Sequence, residues 1–317
     1  MVTIKDNKIS ENPMISNCTG IYIYNIYGVV SIADNDIGAW EDDHGQSYFG
    51  NSGQGIFIQS VFSGAELTIG PDNSIKDNTS HGIDISWGQQ DSTIDIHNNS
   101  IVHNGWQVGS TSMATNHSSS IIPASGCGIK LGSGGVCGAI VSDNTITNHH
   151  TGIHLDSNST HNTIQDNEIR NNGDGIWIEG DDNQILRNDI RDNEAEPPSG
   201  IHLTSLALGN IIQCNNIVGN LPYGIYNEND TEDVDAASNW WGDASGPSGA
   251  GTGDGDAVSE DVNYSSWLPK EFQDCPECMG APPPPQGVPT VTHWGMAAMI
   301  ALFAGLLVWT VKRRRHA

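Results

Sequence analysis

The sequence predicts an all-β protein, a parallel β-helix solenoid followed by one transmembrane helix near the C-terminus. Two repeated units predict the solenoid: Gly-Ile-x-(Ile or Leu), and an Asn-x-Ile unit out of phase with it. From Gly128 to Gly224 the first unit recurs at spacings of 24, 23, 25 and 24 residues, a period typical of a solenoid. An uncharged stretch at 294–311, followed by a basic tail, predicts the membrane helix.

The first unit places two apolar residues on either side of one variable residue. Alternation with a period of two residues is typical of a strand, and the unit is too short for an ordinary helix. The glycine that opens each unit is typical of a turn that needs a positive φ. The units begin at Gly20, Gly55, Gly82, Gly128, Gly152, Gly175, Gly200 and Gly224, and the last of them ends in Asn227 instead of Ile or Leu.

The second unit and a third apolar position complete each coil. The third position precedes the later Asn-x-Ile units, at Ile164, Ile185 and Ile211. Three strands per period predict a coil of a parallel β-helix, with coils stacked about 4.8 Å apart. Isoleucines then line up inside, and asparagines at the turns can form hydrogen-bonded ladders. The Asn-x-Ile units begin at Asn7, Asn35, Asn73, Asn99, Asn144, Asn167, Asn188 and, as a variant, Asn215.

Changes in composition predict four segments. The solenoid covers 1–237, and a Trp-, Gly- and Asp-rich segment at 238–269 is expected to cover its last coil. A Cys- and Pro-rich stalk follows at 270–290. The last segment, 291–317, contains the predicted membrane helix.

The C-terminal segment predicts a single membrane crossing. Its 18 uncharged residues would extend about 27 Å as a helix, enough to cross the hydrocarbon core of a bilayer. The cationic residues that follow predict a cytoplasmic tail and an external body, because positive charge stays inside. Three of them are Arg313, Arg314 and Arg315.

This tail resembles the IPTL-type C-terminal sorting signals of Gram-negative bacteria, which are laid out like the signals handled by exosortases. The sequence reads Val-Pro-Thr-Val before the span and matches at Pro289, Thr290, Trp294 and Gly295. The resemblance implies export and an exosortase-like sorting enzyme as a partner. It also implies initial retention in the inner membrane and a destination at the cell envelope or surface. Because no apolar segment follows Met1, we expect the chain to be the C-terminal part of a longer protein.

The repeats at 1–237 resemble the right-handed parallel β-helix repeats of the pectate-lyase-like superfamily. They are also similar to the copper-binding accessory proteins of nitrous oxide reductase. The resemblance implies a right-handed solenoid but not one function, because this fold carries lyases, hydrolases, adhesins and binding proteins.

The variable residue of the first unit is expected to point outward, since its two apolar neighbours point inward. Most of these residues are aromatic or histidine, and flat rings in a line are suited to stacking on sugars. The net charge of -26 excludes a nucleic-acid ligand, because an acidic body repels phosphate. We therefore predict binding of extracellular polysaccharide or matrix. The predicted binding residues are Tyr22, Phe57, His154, Trp177, His202 and Tyr226.

An enzymatic alternative stays open, a polysaccharide lyase or glycoside hydrolase. Asp181 and Asp182 follow a glycine as in polygalacturonases, although the rest of that family's pattern is absent. Arg170 and Arg191 are expected to stack in register beside acidic residues. These four residues are the candidates for catalysis.

Metal binding is another alternative. The twelve histidines suit copper, which would make the chain a periplasmic metal-handling protein. Asp254 and Asp256 lie in a Gly-Asp-Gly-Asp run whose oxygens could hold Ca²⁺.

The six cysteines predict short-range links in an exported protein. Cys127 and Cys137 flank one glycine-rich segment and could form a local disulfide. A small disulfide, or a link to a partner, is expected within Cys275-Pro-Glu-Cys278. The other two are expected to be buried turn residues, at Cys18 and Cys214.

Overall fold

The computed structural model describes residues 1–10, 18–41, 47–48, 50–105, 126–132, 134–194, 200–274 and 278. They all belong to one compact unit, Met1–Met279. No helix in this described part is long and apolar enough to span a membrane. The predicted span at 294–311 lies outside it, as do the predicted sorting residues Pro289, Thr290, Trp294, Gly295, Arg313, Arg314 and Arg315.

Three sheets form the faces of the solenoid, and every strand pairing described within them is parallel. Sheet A contains β1 (Val2–Lys5), β4 (Val29–Ala33), β9 (Glu66–Ile69), β12 (Thr93–His97), β15 (Ile140–Ser142), β18 (Thr163–Gln165), β21 (Gln184–Leu186), β24 (Ile211–Gln213), β27 (Val234–Asp235) and β30 (Val262–Asn263). Sheet B contains β2 (Lys8–Ile9), β5 (Asp36–Gly38), β10 (Ser74–Lys76), β13 (Ser100–Val102), β16 (Thr145–Thr147), β19 (Glu168–Arg170), β22 (Asp189–Arg191) and β25 (Asn216–Val218).

Sheet C is built from the Gly-Ile units and two strands that follow them. In spatial order it contains β3 (Ile21–Ile26), β8 (Ile56–Val61), β11 (Ile83–Ile85), β14 (Cys127–Leu131), β17 (Thr151–Leu155), β20 (Asp174–Ile178), β23 (Ile201–Leu203), β26 (Ile225–Asn227), β29 (Gly255–Val258) and β28 (Pro247–Gly249). A short antiparallel pair, β6 (Trp40–Glu41) and β7 (Ser47–Tyr48), lies outside the three faces. A 3₁₀ helix at Phe272–Asp274 follows the last strand.

Isoleucine columns fill the interior, as the repeats predict. Ile75, Ile101 and Ile146 face one another in register on neighbouring strands of sheet B, and all three are fully buried. Each coil alone could bury little apolar surface, so stability comes from stacking on the neighbouring coils.

Asparagine ladders run along the turns, as the Asn-x-Ile units predict. In each step one amide donates to the side-chain oxygen of the asparagine in the next coil. Asn144 Nδ2 donates to Asn167 Oδ1 at 3.0 Å and to the carbonyl of Ile96 at 2.9 Å. The longest ladder joins Asn7, Asn35, Asn73, Asn99, Asn144, Asn167, Asn188, Asn215 and Asn239.

Two further ladders run parallel to the first. The second joins Asn51, Asn78, Asn104, His149, Asn172, Asn193 and Asn220, and it ends on Asp256. The third includes Asn162, Asn183 and Asn210. Buried amides are therefore paired at three corners of each regular coil, as buried polar groups must be.

The predicted role of the repeat glycines is wrong. None of the eight adopts a positive φ. Instead, a side chain would collide with the next coil: a Cβ on Gly152 would lie 2.5 Å from the carbonyl oxygen of Gly175 and 2.9 Å from Ile169 Cγ2. Glycine is needed there because the backbone of the next coil approaches closely.

The segment at 238–269 continues the solenoid before ending it. Asn239 is the last residue of the longest ladder, and Trp241 is fully buried in the core. Strands β28, β29 and β30 then extend sheets A and C.

The start of the predicted stalk is packed against the solenoid. Phe272 and Cys278 are buried beside Leu268, and Cys214 forms a disulfide with Cys278. The expectation of a disulfide between the two stalk cysteines is therefore wrong at Cys278. The link between Cys127 and Cys137 is also not formed. Cys127 is paired with Thr151 on sheet C, whereas Cys137 bridges to Thr160, so their side chains belong to different columns.

Candidate functional site

The outer face of sheet C carries the predicted binding residues. All but the last of the variable residues lie between two apolar residues; His154, for example, lies between Ile153 and Leu155, which are fully buried, whereas Tyr226 is followed by Asn227. Neighbouring strands hold these residues in register. We call this set the ring column: Tyr22, Phe57, Asp84, Lys130, His154, Trp177, His202 and Tyr226.

Ring contacts are continuous over four coils of the ring column. The centroids of His154 and Trp177 are 6.1 Å apart, those of Trp177 and His202 are 4.4 Å apart, and those of His202 and Tyr226 are 5.6 Å apart. Tyr223 adds a fifth ring, 5.2 Å from Tyr226. Such tilted and edge-on arrangements are favourable between aromatic rings. This group provides an extended aromatic surface along the solenoid.

The first two rings are separate from this group. The centroids of Tyr22 and Phe57 are 5.2 Å apart, and the next two outward residues are Asp84 and Lys130. Exposure also varies along the column. Tyr22 is 55% exposed, but His202 is only 3% exposed, which corrects the expectation that every ring faces solvent. His202 is covered in part by its neighbours Trp177 and Tyr226.

Each of two basic side chains of the ring column contacts a carboxylate that belongs to the next coil. His154 Nε2 lies 3.0 Å from Glu179 Oε1, and the contact is a hydrogen bond. Lys130 Nζ lies 3.7 Å from Asp156 Oδ2. These acids follow the variable residue of their own units by two positions, so the repeat pattern could have identified them from the sequence.

His202 has a similar carboxylate neighbour. Its Nε2 lies 2.9 Å from Glu228 Oε1, although the two groups are not aligned as a hydrogen bond. Glu228 follows Tyr226 by the same two positions. Together, Asp156, Glu179 and Glu228 form an acid column beside the ring column.

Burial keeps the histidines of this face uncharged. It lowers the pKa of His154, and this outweighs the opposite effect of Glu179. It also lowers the pKa of His202 against the effect of Glu228. The pKa of His81, on the neighbouring column, is lowered to about 4 by burial and then by the charges of Lys130 and His154. Imidazole with so low a pKa is neutral at physiological pH.

Burial has the opposite effect on the carboxyl groups of this face, whose pKa values it raises. Burial raises the pKa of Asp84, while Lys130 and a hydrogen bond from Gln54 oppose the increase. Burial raises the pKa of Asp174, at the start of β20, to about 8. Displaced pKa values concentrated on one surface are typical of functional sites.

Unpaired buried polar atoms concentrate on strands β20 and β23. In the described part of the chain these are Asp174 Oδ1, Trp177 Nε1 and both ring nitrogens of His202, together with Trp241 Nε1 in the terminal coil. The repeat pattern did not indicate Asp174, because this residue lies outside the Ile-x-Ile alternation.

A second set of rings occupies the first coils. Tyr27 and Phe62 are stacked, with centroids 4.4 Å apart and planes at 20°, and Trp87 contacts Phe62 edge-on at 5.2 Å. Tyr27 is 70% exposed. The sequence analysis missed this set, because Trp87 does not follow its unit at the same offset as the other two.

The predicted catalytic arginines lie on sheet B, away from the ring column. Arg170 and Arg191 are in register on neighbouring strands, as expected. Arg170 Nη1 pairs with Glu168 at 2.7 Å, and Arg191 bonds Asp189 Oδ1 at 2.6 Å and Glu271 Oε1 at 2.9 Å. Burial opposes but does not outweigh these two carboxylates, which raise the pKa of Arg191.

The predicted catalytic aspartates lie at a turn between sheets C and A. Asp181 Oδ1 accepts a hydrogen bond from the backbone N–H of Leu208 at 2.9 Å. Asp182 has a positive φ of 55° and its carboxylate lies 3.8 Å from His161 Nε2. The structure does not bring these aspartates together with the two arginines of sheet B.

The two predicted calcium ligands, Asp254 and Asp256, form separate sets of hydrogen bonds within the protein. Asp256 accepts three hydrogen bonds, from the backbone N–H groups of Gly219 and Asn220 and from the Asn220 amide, and so ends the second ladder. The backbone N–H of Asp254 donates to Ser245 Oγ at 2.9 Å. Within the described ranges, no group of three His, Cys, Asp or Glu side chains could hold a metal ion.

Comparison with known families agrees with this architecture. The model of the right-handed beta helix region matches residues 90–240, and the IPTL-CTERM motif matches residues 286–316. Residues 90–240 thus match a right-handed β-helix region, and the sorting motif at 286–316 indicates an exported cell-surface protein. No curated protein matches the chain.

Two solved structures are similar to the chain, both A-modules of mannuronan C-5 epimerases from Azotobacter vinelandii. AlgE4 is 18% identical with a TM-score of 0.45, over 79% of this chain and 63% of its own. The chain therefore spans less than two thirds of that structure. AlgE6 is 14% identical with a TM-score of 0.37, over 81% of this chain and 80% of its own.

Proposed function

We propose that this exported right-handed β-helix protein binds extracellular polysaccharide along the outer face of sheet C. The observation that carries the proposal is the unbroken series of ring contacts from His154 to Tyr226. A polysaccharide chain repeats its sugar rings along a line, as the solenoid repeats its coils. Rings present apolar faces to sugars, while polar edges and neighbouring carboxylates can contact hydroxyl groups.

Charge favours a neutral polysaccharide. The chain carries 38 acidic against 12 basic residues, and the acid column lies beside the rings. A polyanion approaching this face would meet like charge, which costs binding free energy and slows association.

The test is binding of the purified full-length chain, in mild detergent, to a panel of neutral and acidic polysaccharides by affinity electrophoresis. Replacing Trp177 and Tyr226 together by alanine is expected to lower affinity about tenfold or more, because both stacking surfaces are removed. Leu206→Ala is the control, since Leu206 is 76% exposed on the turn after β23. Unchanged retention of the double variant would reject the ring column as the binding site.

A second proposed function is cleavage of the bound polysaccharide, by a lyase or a glycoside hydrolase. The observation that favours it is the set of titratable side chains with displaced pKa values on the same face, including Asp84 and His154. Asp84→Asn and His154→Gln should then abolish the release of new chain ends. If Arg170→Gln or Arg191→Gln abolishes it instead, the catalytic site is on sheet B.

The C-terminal segment is proposed to hold the protein in the inner membrane until an exosortase-like enzyme processes it. The helix at 294–311 would span the bilayer, with Arg313, Arg314 and Arg315 in the cytoplasm. The matched IPTL-CTERM motif supports this proposal. Deleting residues 286–317 should move the protein from the membrane fraction to the soluble exported fraction, and no change in distribution would contradict it.

A further inference from the structure

We propose that Asp174, Trp177 and His202 form a subsite that hydrogen-bonds the hydroxyl groups of one neutral sugar residue. The inference rests on the proposed polysaccharide binding and specifies where and how one sugar is recognised. The three residues lie on neighbouring strands of sheet C.

The geometry places Trp177 and His202 side by side, with Asp174 at the start of the strand that carries Trp177. Asp174 and Trp177 belong to β20, and His202 is in register with Trp177 on β23. The ring centroids of Trp177 and His202 are 4.4 Å apart. A sugar that stacks on the partly exposed ring of Trp177 would therefore lie beside His202, and the bound chain would reach Asp174 by following β20 toward its first residue.

The unpaired atoms point to a missing polar ligand. Asp174 is 2% exposed and His202 is 3% exposed, yet Asp174 Oδ1, Trp177 Nε1 and His202 Nδ1 have no hydrogen-bond partner among the described residues. Buried polar atoms without partners are rare in native proteins, and each such atom calls for a cause. Only one other residue of the described chain, Trp241, has such an atom.

The chemistry of the three atoms matches a hydroxyl-bearing ligand. Trp177 Nε1 can only donate a hydrogen bond. In the tautomer of His202 that carries its proton on Nε2, the nitrogen nearer Glu228, Nδ1 keeps its lone pair and accepts. A protonated Asp174 both donates and accepts. Sugar hydroxyl groups donate and accept as well, so each of the three atoms can be satisfied once the side chains that cover them move aside.

The surrounding charges favour an uncharged sugar over a uronate. The titratable groups that face this region are Asp84 on β11, Lys130 and the Cys127 thiol on β14, His154 on β17, Asp156 beyond the end of β17, Glu179 beyond the end of β20, and Glu228 beyond β26. Burial alone raises the pKa of Asp174, with no contribution from these neighbours. A carboxylate ligand would add negative charge next to Glu179 and Glu228, the carboxylates that contact His154 and His202.

Protonation of Asp174 should make binding depend on pH. Below about pH 8 the neutral carboxyl can donate to a hydroxyl group. Above that pH the ionised group loses its donor, so affinity for a neutral polysaccharide should fall. Asn at this position keeps a donor and an acceptor at every pH, so Asp174→Asn should bind equally well across the range.

The experiment measures affinity of the full-length chain in mild detergent for soluble mixed-linkage β-glucan, galactomannan and polygalacturonate, at about pH 6 and about pH 9.5. At the lower pH, Asp174→Ala and Trp177→Phe should each weaken binding of a neutral glycan roughly three- to tenfold, a loss typical of a hydrogen bond. Trp177→Phe keeps the stacking ring and removes only the N–H donor. Asp174→Asn should bind as wild type at the lower pH and more tightly than wild type at the higher pH.

The outcomes separate the subsite from the general proposal. If wild type binds no polysaccharide, the proposed function fails, and the subsite fails with it. If wild type binds, and the double alanine variant at Trp177 and Tyr226 does not, but Asp174→Ala and Trp177→Phe bind normally, only the subsite is rejected. Tighter binding of polygalacturonate than of both neutral glycans would overturn the assignment to a neutral sugar. Melting temperatures of all variants, with Asp174→Asn as the isosteric check, distinguish lost contacts from lost folding.

Discussion

At the scale of single residues, each ladder position depends on the residue before it. Except before Asn51, the residue that precedes a ladder asparagine adopts a positive φ, as at Asp143, Asp166 and Asp182. Aspartate and asparagine tolerate this conformation better than most residues. Asp182, a predicted catalytic residue, has a structural role here, because its backbone turns the chain into the third ladder. Sequence spacing alone could not separate this role from catalysis.

His149 replaces an asparagine in the second ladder. Its Nε2 accepts from the Asn104 amide and its Nδ1 donates to Asn172 Oδ1, both at 3.2 Å. We expect His149→Asn to be close to neutral, since it restores the ladder residue. His149→Ala should lower the free energy of unfolding by about 1–3 kcal/mol, because two buried partners lose their bonds. Urea denaturation of the two variants checks this, and equal stability would contradict it.

Two buried groups predict opposite dependences of stability on pH. Burial lowers the pKa of His149 to about 3, so the folded state binds fewer protons than the unfolded state, and stability falls as pH drops from about 6.5. Burial raises the pKa of Asp174 to about 8, so its contribution is fully present below the unfolded pKa of about 4 and is lost as pH rises toward 8. The two effects oppose each other between about pH 4 and 6.5.

Denaturation of wild type and Asp174→Asn across this range tests the second effect. From about pH 6.5 to 8, wild-type stability should fall with a slope of at most about 1.4 kcal/mol per pH unit, and the asparagine variant should show a smaller slope. Parallel curves for the two proteins would exclude ionisation of Asp174 as the cause.

At the scale of elements, the repeat predicted strands and ladders well because every coil uses the same positions. The outward direction of Trp177 and Tyr226 followed from simple alternation, and so did the register of Arg170 with Arg191. The burial of Asp174 and His202 could not be predicted in this way. It depends on how neighbouring side chains cover one another across coils.

The repeat glycines give a test at this scale. Gly152→Ala should lower the free energy of unfolding by about 2 kcal/mol or more, because the added methyl group meets the backbone of the next coil. Gly28→Ala is the matched control: its Cβ would have no atom within 4 Å and its φ is not positive. Thermal denaturation compares the two, and similar midpoints would refute the close-approach argument.

At the scale of the whole molecule, the chain after the last strand returns to the solenoid. Arg191 bonds Glu271, Asn216 Oδ1 accepts from the backbone N–H of Phe272, and Cys214 is linked to Cys278. The disulfide suits an exported protein, because disulfides persist in oxidising compartments. Its pairing could not be predicted from the sequence, since the two cysteines are 64 residues apart.

The disulfide should therefore set the stability of the C-terminal end of the solenoid. Closing so long a loop restricts the unfolded chain, and its loss typically costs about 2–4 kcal/mol. Cys278→Ser should show this decrease in guanidinium denaturation, and wild type under reducing conditions should match it. Cys137→Ser is the control, because Cys137 is a free, partly exposed cysteine. Hydrogen exchange should locate the loss at Phe272 and in β25, and unchanged protection there would show that the polar and apolar contacts hold this segment without the covalent link.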